Sequence, residues 1–284
     1  FGRKGGDEIN YEGMNWGATF GDYGTYSEIQ FETAAKGAEA RTPGVNANHI
    51  IKSGSNELHG NIMMAMQDDS FQSDNINQKL LDRGLVPFAN KFVRYHDLNG
   101  DVGGPLIRNK LWAYYAHGNM WSGTFVPGFI DLATGQQQTY STRLDFTTAK
   151  LTYQITDSQK LEFSGQLSRK YTPYRGASST LPSEAAQIQL SWSGIGPSVK
   201  WSYIIGPTMT LDASFQRGGY WWPSTSHNDR VKKTDLTTRQ VRGHWGHVYR
   251  RPLRWQWPVN FSWFSNLGGR SNEIKIGYLA WWQE

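Results

Sequence analysis

Apolar and polar residues alternate with a period of two along most of the chain after residue 57. The pattern is clear in 160–167 and 211–216, and again in 254–263 and 272–278. One apolar face and one polar face predict strands that lie between two different environments. Residues 1–57 lack this pattern. They are rich in Gly, Asn, Glu and small residues, with short apolar pieces, which predicts short strands in a compact mixed domain.

Connections between the predicted strands alternate in length. Nine strands are predicted, at 58–66, 93–102, 111–121, 143–155, 160–171, 189–205, 209–222, 241–265 and 273–284. Short turns are predicted at 103–110, 156–159, 206–208 and 267–272. Long polar connections are predicted near 67–92, 122–141, 172–188 and 223–240. Short turns at one end and long loops at the other are typical of outer-membrane barrels.

These patterns predict a mainly β fold, a transmembrane antiparallel β-barrel with about nine strands present. Residues 58–284 would form the N-terminal part of this barrel, and residues 1–57 a small mixed domain, which the family resemblance of residues 38–60 implies is the C-terminal part of a plug domain. No apolar run reaches the roughly 18 residues of a transmembrane helix, so a membrane crossing would use strands. Bacterial single-chain barrels have even strand counts. The chain also begins without an initiator Met and stops directly after an alternating stretch, and we therefore expect a piece of a larger barrel.

Aromatic enrichment supports a membrane location. The chain has 13 Trp and is 14% aromatic. Aromatic pairs near predicted strand ends are expected to form interfacial girdles; they are Trp112 and Trp121, Tyr171 and Tyr174, Trp221 and Trp222, and Trp281 and Trp282. The alternative is a soluble β-protein whose aromatic side chains form a core or sugar-binding platforms.

Sequence signatures of catalysis are missing from the chain. It contains no cysteine, which excludes disulfides and thiolate metal sites. Phosphate-binding loops, zinc-protease motifs and nucleophile elbows do not occur. The sequence therefore predicts neither an enzyme nor a cofactor or metal site. A net charge of +5 is too small to indicate nucleic acid, and no nucleic-acid partner is predicted.

One basic segment has candidate binding residues. Between residues 230 and 254 there are eight Lys and Arg residues and a single acid, Asp235. Arg250, Arg251 and Arg254 are candidates for contacting lipopolysaccharide phosphates or an anionic ligand. The alternatives are a solvated loop without a ligand and, because Trp and Tyr are interleaved, a nucleic-acid site.

Three motifs resemble one known family. Residues 38–60 (AEARTPGVNANHIIKSGSNELHG) resemble the plug-to-barrel junction of TonB-dependent outer-membrane receptors. Residues 102–112 (VGGPLIRNKLW) resemble the turn that follows the second barrel strand in that family. A weaker match is 272–278 (NEIKIGY). The subgroup that is most similar carries an N-terminal carboxypeptidase-regulatory-like domain, which this chain does not include.

The resemblance implies active import across the outer membrane of a Gram-negative bacterium. TonB, acting through a box outside this chain, would pull on the plug and let an unknown small ligand pass, such as a siderophore, an oligosaccharide or a peptide. Outer-membrane lipid and lipopolysaccharide would surround the barrel. Glu39 and Arg41 match the plug residues that pair with charges of the barrel wall, and are the plug-latch candidates. The alternative function is a secreted carbohydrate-binding or adhesive β-protein without a membrane span.

Overall fold

A computed structural model describes residues 8–11, 14–15, 21–33, 45–73, 75–85, 91–244, 246–267 and 269–284. The first four strands form a small sheet. They are β1 (Glu8–Tyr11), β2 (Met14–Asn15), β3 (Tyr26–Glu32) and β4 (Asn46–Ile51), in the order β2-β1-β4-β3. The β1–β4 pair is parallel and the other two pairs are antiparallel, so this sheet is mixed.

The remaining strands form a large antiparallel sheet, apart from one short hairpin. The large sheet contains β5 (His59–Asp68), β6 (Phe92–Ile107), β7 (Leu111–Ile130), β8 (Gln137–Thr156), β9 (Gln159–Arg175), β10 (Gln187–Ile205), β11 (Met209–Ser226), β14 (Val248–Arg250), β15 (Leu253–Leu267) and β16 (Arg270–Gln283). The hairpin pairs β12 (Lys233–Thr234) with β13 (Val241–Arg242).

Nine strands of the large sheet follow each other as neighbours, in the order β16-β15-β11-β10-β9-β8-β7-β6-β5, and β14 pairs with β11 beside this path. The predicted mainly β fold and the count of about nine barrel strands are confirmed. In the part of the chain that the structure describes, β5 and β16 are the two edges of this sheet and do not pair with each other.

Helices are few and short in the part of the chain that the structure describes. The one α-helix, α1, covers Gln78–Leu81, and three 3-10 turns cover Tyr23–Thr25, Asp69–Phe71 and Ser183–Ala185. Among the described residues, no helix has the length and apolar character needed to cross a membrane.

One predicted strand and one predicted connection differ from the structure. The single strand predicted over 241–265 is wrong, because β13, β14 and β15 replace it. Gly243 and Gly246 have φ of 74° and 129°, which extended strands do not allow, and Pro252 lacks the N–H of a ladder residue. The long connection predicted over 122–141 is also wrong. Strands β7 and β8 extend through most of it and leave only 131–136 as a loop.

The large sheet has two different faces. We call the face that packs against the small sheet the inner face, and the opposite face the outer face. On β8 the inner residues 146, 148, 150 and 152 are all buried. Inner-face side chains of the neighbouring strands are mostly polar and buried; they include Thr148, Lys150, Gln166, Ser168, Ser193, Gln216 and Gln256.

The outer face is apolar and exposed. Its residues alternate with the inner ones and pair across the strands, as Leu151 does with Phe163 and Phe261 with Ile276. Phe163 is 43% exposed and Ile276 is 65% exposed, although both are large apolar side chains. Other exposed outer-face residues are Leu98, Val102, Tyr115, Leu167, Val259, Trp263, Ile274 and Tyr278. Such a face suits a hydrocarbon surrounding.

The predicted aromatic girdles are wrong for one member of each adjacent pair, Trp221 with Trp222 and Trp281 with Trp282. Neighbouring residues of a strand point to opposite faces, so only one member of each adjacent pair can face outward. Trp221 and Trp282 lie on the outer face, where they pair in register with Trp192 and Trp255. Trp281 instead pairs with the inner-face residue Gln256.

Candidate functional site: the interface between the two sheets

An apolar cluster joins the small sheet to the inner face. Met14, Tyr26 and Ile51 come from the small sheet, and Tyr114 and Ile195 from the large one. All five are at most 8% exposed. Burial of these side chains favours docking of the small sheet, at roughly 25 cal/mol per Å² of apolar surface. The cluster is small compared with the polar surface around it.

Polar contacts surround this cluster. The Nε2 group of Gln166 donates a hydrogen bond to the Tyr26 hydroxyl at 3.2 Å, and it also lies 3.3 Å from Thr148 Oγ1. The Tyr26 ring in turn makes an edge contact with His49 at 4.9 Å between ring centroids. Both Gln166 and Tyr26 are buried, so this hydrogen bond satisfies polar atoms that would otherwise lose solvent.

An ion pair connects the end of β4 to the large sheet. Lys52 Nζ lies 2.8 Å from Asp101 Oδ2, and the Asp101 side chain is 8% exposed. Asp22, at the start of the turn before β3, lies near the same group. Burial, followed by the nearby carboxylates Asp97 and Asp101, raises the pKa of Asp22 above its ordinary value. Asp22 therefore lies near two other carboxylates and one lysine, which makes this contact sensitive to charge.

A second ion pair lies deeper on the inner face. Lys150 Nζ lies 3.4 Å from Glu162 Oε1 and donates to the backbone oxygen of Ile51 at 3.4 Å. The Lys150 side chain is 5% exposed, while Lys160 approaches the other Glu162 oxygen at 3.4 Å. The large sheet therefore contacts the backbone of β4 directly through Lys150, a buried cation whose charge is paired with Glu162.

The two main family-like motifs contact each other. Asn56 Oδ1 accepts hydrogen bonds from the Asn109 backbone N–H at 2.8 Å and from Trp112 Nε1 at 2.9 Å. Asn109 has φ of 61°, the left-handed conformation that Asn tolerates in tight turns. The segment after β4 is thus fastened to the β6–β7 turn. Sequence reasoning quoted both motifs but did not predict that they meet.

The surroundings of Gly54 explain why the first motif has a glycine at this position. A Cβ atom at this position would lie 2.4 Å from the Ala113 carbonyl oxygen and 2.8 Å from that of Gly104. Any other residue would need the backbones of β6 and β7 to move. The connecting segment can approach β6 and β7 this closely only because residue 54 is glycine.

Two long connections pack together at the opposite end of the large sheet. Residues 176–186 join β9 to β10, and residues 227–252 join β11 to β15. Val241 donates its N–H to Thr180 at 2.8 Å and packs in an apolar cluster with Leu181 and Ala185. Asn228 donates to the Glu184 backbone oxygen at 2.7 Å. The basic segment is therefore partly anchored.

The three candidate arginines do not form one site. Arg254 lies on the inner face, with its guanidinium 5.0 Å from the Trp281 ring centroid. Arg250 pairs in register with Trp222, whose ring is 5.0 Å from the Arg175 guanidinium. Arg251 lies beside a groove of the outer face. The latch candidates Glu39 and Arg41 lie outside the described residues.

Functional residues that sequence reasoning missed lie beside the motifs it found. Lys52 is inside the first motif, and Asp101 directly precedes the second. The opposite charges of Lys52 and Asp101, one inside and one next to two motifs of the same family, are a signal that could have suggested their ion pair. Tyr26, Gln166 and Lys150 lie far from any motif, so only the fold brings them together.

Comparison with solved structures identifies the fold. The outer membrane transporter YddB from Escherichia coli matches with a TM-score of 0.73 at 12% identity, over 98% of this chain and 40% of that one. The siderophore receptor PirA from Acinetobacter baumannii matches with a TM-score of 0.62 at 11% identity, over 98% and 40%. A ferric enterobactin receptor from Pseudomonas aeruginosa matches with a TM-score of 0.63 at 14% identity, over 98% and 41%.

The chain thus has the fold of a continuous part of these proteins and spans about 40% of their length. No protein-family model matches the sequence. No curated protein matches it either. At 11–14% identity, the likeness concerns the arrangement of the backbone, and the ligand has to be inferred from the residues of this chain.

Proposed function

We propose that this chain is part of a TonB-coupled receptor in the outer membrane of a Gram-negative bacterium, which imports a small ligand. Residues 1–57 would be the end of the plug, and residues 58–284 the first part of the barrel. TonB would act through a segment outside this chain. Glu39 and Arg41 would contribute to the latch between plug and wall, together with the observed pair Lys52–Asp101.

The observation that carries this proposal is the contrast between the two faces of one sheet. The inner face is polar and holds the small sheet, whereas the outer face is apolar and exposed. A secreted sandwich would cover its apolar face with a second sheet. Lipid covers that face in a barrel, while the polar interior encloses a plug. The contrast therefore favours a receptor over the carbohydrate-binding alternative.

The inner interface also suits a plug that has to move. Its apolar cluster is small, and its other contacts are separate hydrogen bonds and ion pairs. Contacts of this kind can be replaced by water one after another, since each exchanges for a solvent hydrogen bond. A continuous apolar interface would have to separate at once.

Positive charge on the inner face favours an anionic small ligand. Arg175 and Arg254 each lie over a Trp ring of the inner face, and both lie toward the long connections. A guanidinium group presents several N–H donors in one plane, a geometry that suits carboxylate or phenolate oxygens. Arg250 and Arg254 remain candidates for this contact. By their names, two of the structural neighbours receive siderophores, a class of ligand that fits this charge.

Removing the plug tests the proposal without knowledge of the ligand. The full-length gene product is purified from outer membranes and run on gels with and without boiling, because a closed barrel changes mobility on heating. The intact protein and a variant without the segment up to residue 57 are then placed in planar bilayers. We expect the intact protein to be closed to ions and the variant to conduct.

Two results would contradict the proposal. A soluble product without a heat-dependent shift would favour the secreted binding protein. A shifted product whose plug-deleted variant stays closed would retain the barrel but remove the plug assignment of residues 1–57. TonB coupling is tested separately, by measuring uptake of a ferric siderophore with and without a protonophore.

A further inference from the structure

A groove crosses the outer face of β9, β10 and β11. It has a volume of about 520 Å³ and reaches Leu253 at the start of β15. Its floor is a row of cross-strand neighbours in which Leu167 pairs with Gly194, Gly194 with Gly219, and Gly219 with Leu253. Two adjacent glycines lower the surface there, and Leu167 and Leu253 provide apolar walls. The groove is on the face that turns away from the small sheet.

Arginine and tryptophan side chains lie in this groove and beside it: Trp192, Arg217, Trp221 and Arg251 line it, and Arg169 and Trp255 are their neighbours across the strands. Above the floor, Arg169 pairs with Trp192, which stacks on Trp221 at 4.9 Å between centroids. Below it, the Arg217 guanidinium lies 5.1 Å from the Trp255 ring. Such rings hold the flat guanidinium groups in place and leave their N–H donors free for an anion.

These arginines lack acidic partners. In the part of the chain that the structure describes, none of Arg169, Arg217 and Arg251 forms a salt bridge. The Nε atom of Arg217 is buried and has no hydrogen-bond partner. The nearest acid across the sheet, Asp145, is instead bound by Arg143 at 3.1 Å and by Asn119 at 2.6 Å.

The height of the groove matches the outer boundary of the membrane. Arg169 lies ten residues beyond Gln159, where β9 leaves a short turn. At about 3.3 Å per residue and a strand tilt of roughly 40°, this segment climbs about 25 Å, which equals the apolar band of such barrels. Short turns face the periplasm in these proteins, so the groove is at the level of the outer leaflet.

We infer that this groove binds a phosphorylated lipid of the outer leaflet, with its phosphates on Arg169, Arg217 and Arg251 and an acyl chain along the glycine floor. The chemistry is that of lipid A, which combines phosphates with acyl chains. Arginine pairs with phosphate through charge-assisted, often bidentate hydrogen bonds, and basic pockets at membrane surfaces select anionic lipids. The inference rests on the proposed membrane location of the barrel.

Native mass spectrometry of the full-length protein in detergent tests the inference. Purified lipid A with both phosphates is the probe, and enzymatically dephosphorylated lipid A is the comparison. We expect the variant R169Q/R217Q/R251Q to bind the phosphorylated lipid at least about tenfold more weakly than the native protein. The matched control R108Q/R239Q/R270Q removes the same charge elsewhere and should bind like the native protein.

Three outcomes would overturn the inference. They are equal binding of both lipids, unchanged binding by the triple variant, and displacement of the lipid by inorganic phosphate alone, which would indicate a free-anion site. A heat-dependent gel shift on the same samples separates the two proposals, because a shifted protein without selective binding contradicts the groove alone. If the triple variant does not fold, the exposed Arg169→Gln single variant replaces it, with a smaller loss expected.

Discussion

The two faces of β8 and β9 show how one stretch of sequence serves two surroundings. On the inner face, Lys150 and Gln166 contact the small sheet with a charge and an amide. On the outer face, Leu151 and Phe163 pair across the same two strands and remain exposed. Residues on opposite faces are direct neighbours in sequence, as Lys150 and Leu151 are. In most proteins the buried face of a sheet is the apolar one, but here the buried face is polar and the exposed face is apolar.

This inversion is what the proposed membrane surrounding would require. In a water-soluble protein apolar groups leave the solvent, so the buried face is apolar. In a barrel the lipid accepts apolar side chains, while the enclosed space has to satisfy polar groups of a plug. The comparison predicts that substitutions on the two faces and at the junction between the sheets have unequal effects, and four experiments test it.

The largest effect is expected for Lys150→Met on the inner face. It removes the buried partner of Glu162, leaves Lys160 and the cross-strand neighbour Lys200 as the remaining cations, and removes the contact to the Ile51 backbone. Breaking a buried pair in this way costs about 3–5 kcal/mol. Denaturant unfolding of the detergent-folded full-length protein measures the loss. The double variant Lys150→Met/Glu162→Met should recover most of it; a double variant as unstable as the single one would contradict a paired charge.

A charge on the outer face should have the next largest effect. Phe163 lies four residues from the start of β9, near the middle of the apolar band. Phe163→Arg should destabilise the barrel by about 2–4 kcal/mol, because the guanidinium would enter hydrocarbon. Asn260→Arg is the matched control, since it adds the same charge on the inner face opposite Asp212.

We expect Asn260→Arg to change the free energy of unfolding by less than about 1 kcal/mol. Both variants are compared by unfolding in lipid vesicles, because detergent micelles adapt to a charge more easily than a bilayer. Equal costs for the two substitutions would contradict the assignment of the faces.

A smaller effect is expected at the junction between the sheets. Asn56→Ala removes the oxygen that accepts two hydrogen bonds from the β6–β7 turn. The bonds are at the surface, so the loss of stability should be about 1 kcal/mol. Hydrogen exchange of residues 52–58 should become faster while exchange in β8 stays the same. Asn56→Asp keeps the acceptor and should retain most of the protection.

The smallest effect is a change in pH dependence at Asp22. Burial raises the pKa of Asp22 in the docked state, so its contribution to docking is full below the ordinary carboxyl pKa and is lost as the pH rises through the raised value. Asp22→Asn keeps the oxygen that accepts from Gly24 but cannot ionise. It should strengthen docking at neutral pH and leave it unchanged in acid.

Hydrogen exchange of residues 21–33 at two pH values measures this difference. Asp69→Asn, which removes a carboxylate from an exposed turn, is the control and should not alter the exchange of 21–33. Weaker docking of the Asp22→Asn protein at neutral pH would show that the ionised carboxylate stabilises the interface through Lys52.

Strand segments were predictable because lipid and a polar interior impose a strict period of two. Eight of the nine predicted strands overlap observed ones closely, and the exception, 241–265, contains two glycines with positive φ and a proline. Observed strands are also longer than predicted. Pro105, read as part of a turn, lies inside β6 and pairs with Trp112, because continuous pairing with neighbours outweighs the local preference of Gly and Pro.

The candidate site was less predictable than the fold. Arg250, Arg251 and Arg254 are close in sequence, yet alternation and the break at Pro252 place Arg251 on the outer face and Arg254 on the inner face. Closeness in sequence therefore did not mean a shared site. A strict count of residues along the strand could have separated them only if the start of β15 had been known.

By itself, the sequence determined the β-barrel type, the number of strands present and the motifs that flank the junction, because these depend on local periodicity and on turn residues. Only the tertiary structure decided which residues meet. Tyr26 contacts Gln166 across 140 positions, and Asn56 reaches Trp112 across 56. Both contacts depend on the register of strands and on the docking of the small sheet, which are set by packing and polar pairing over the whole interface and leave no local pattern in the chain.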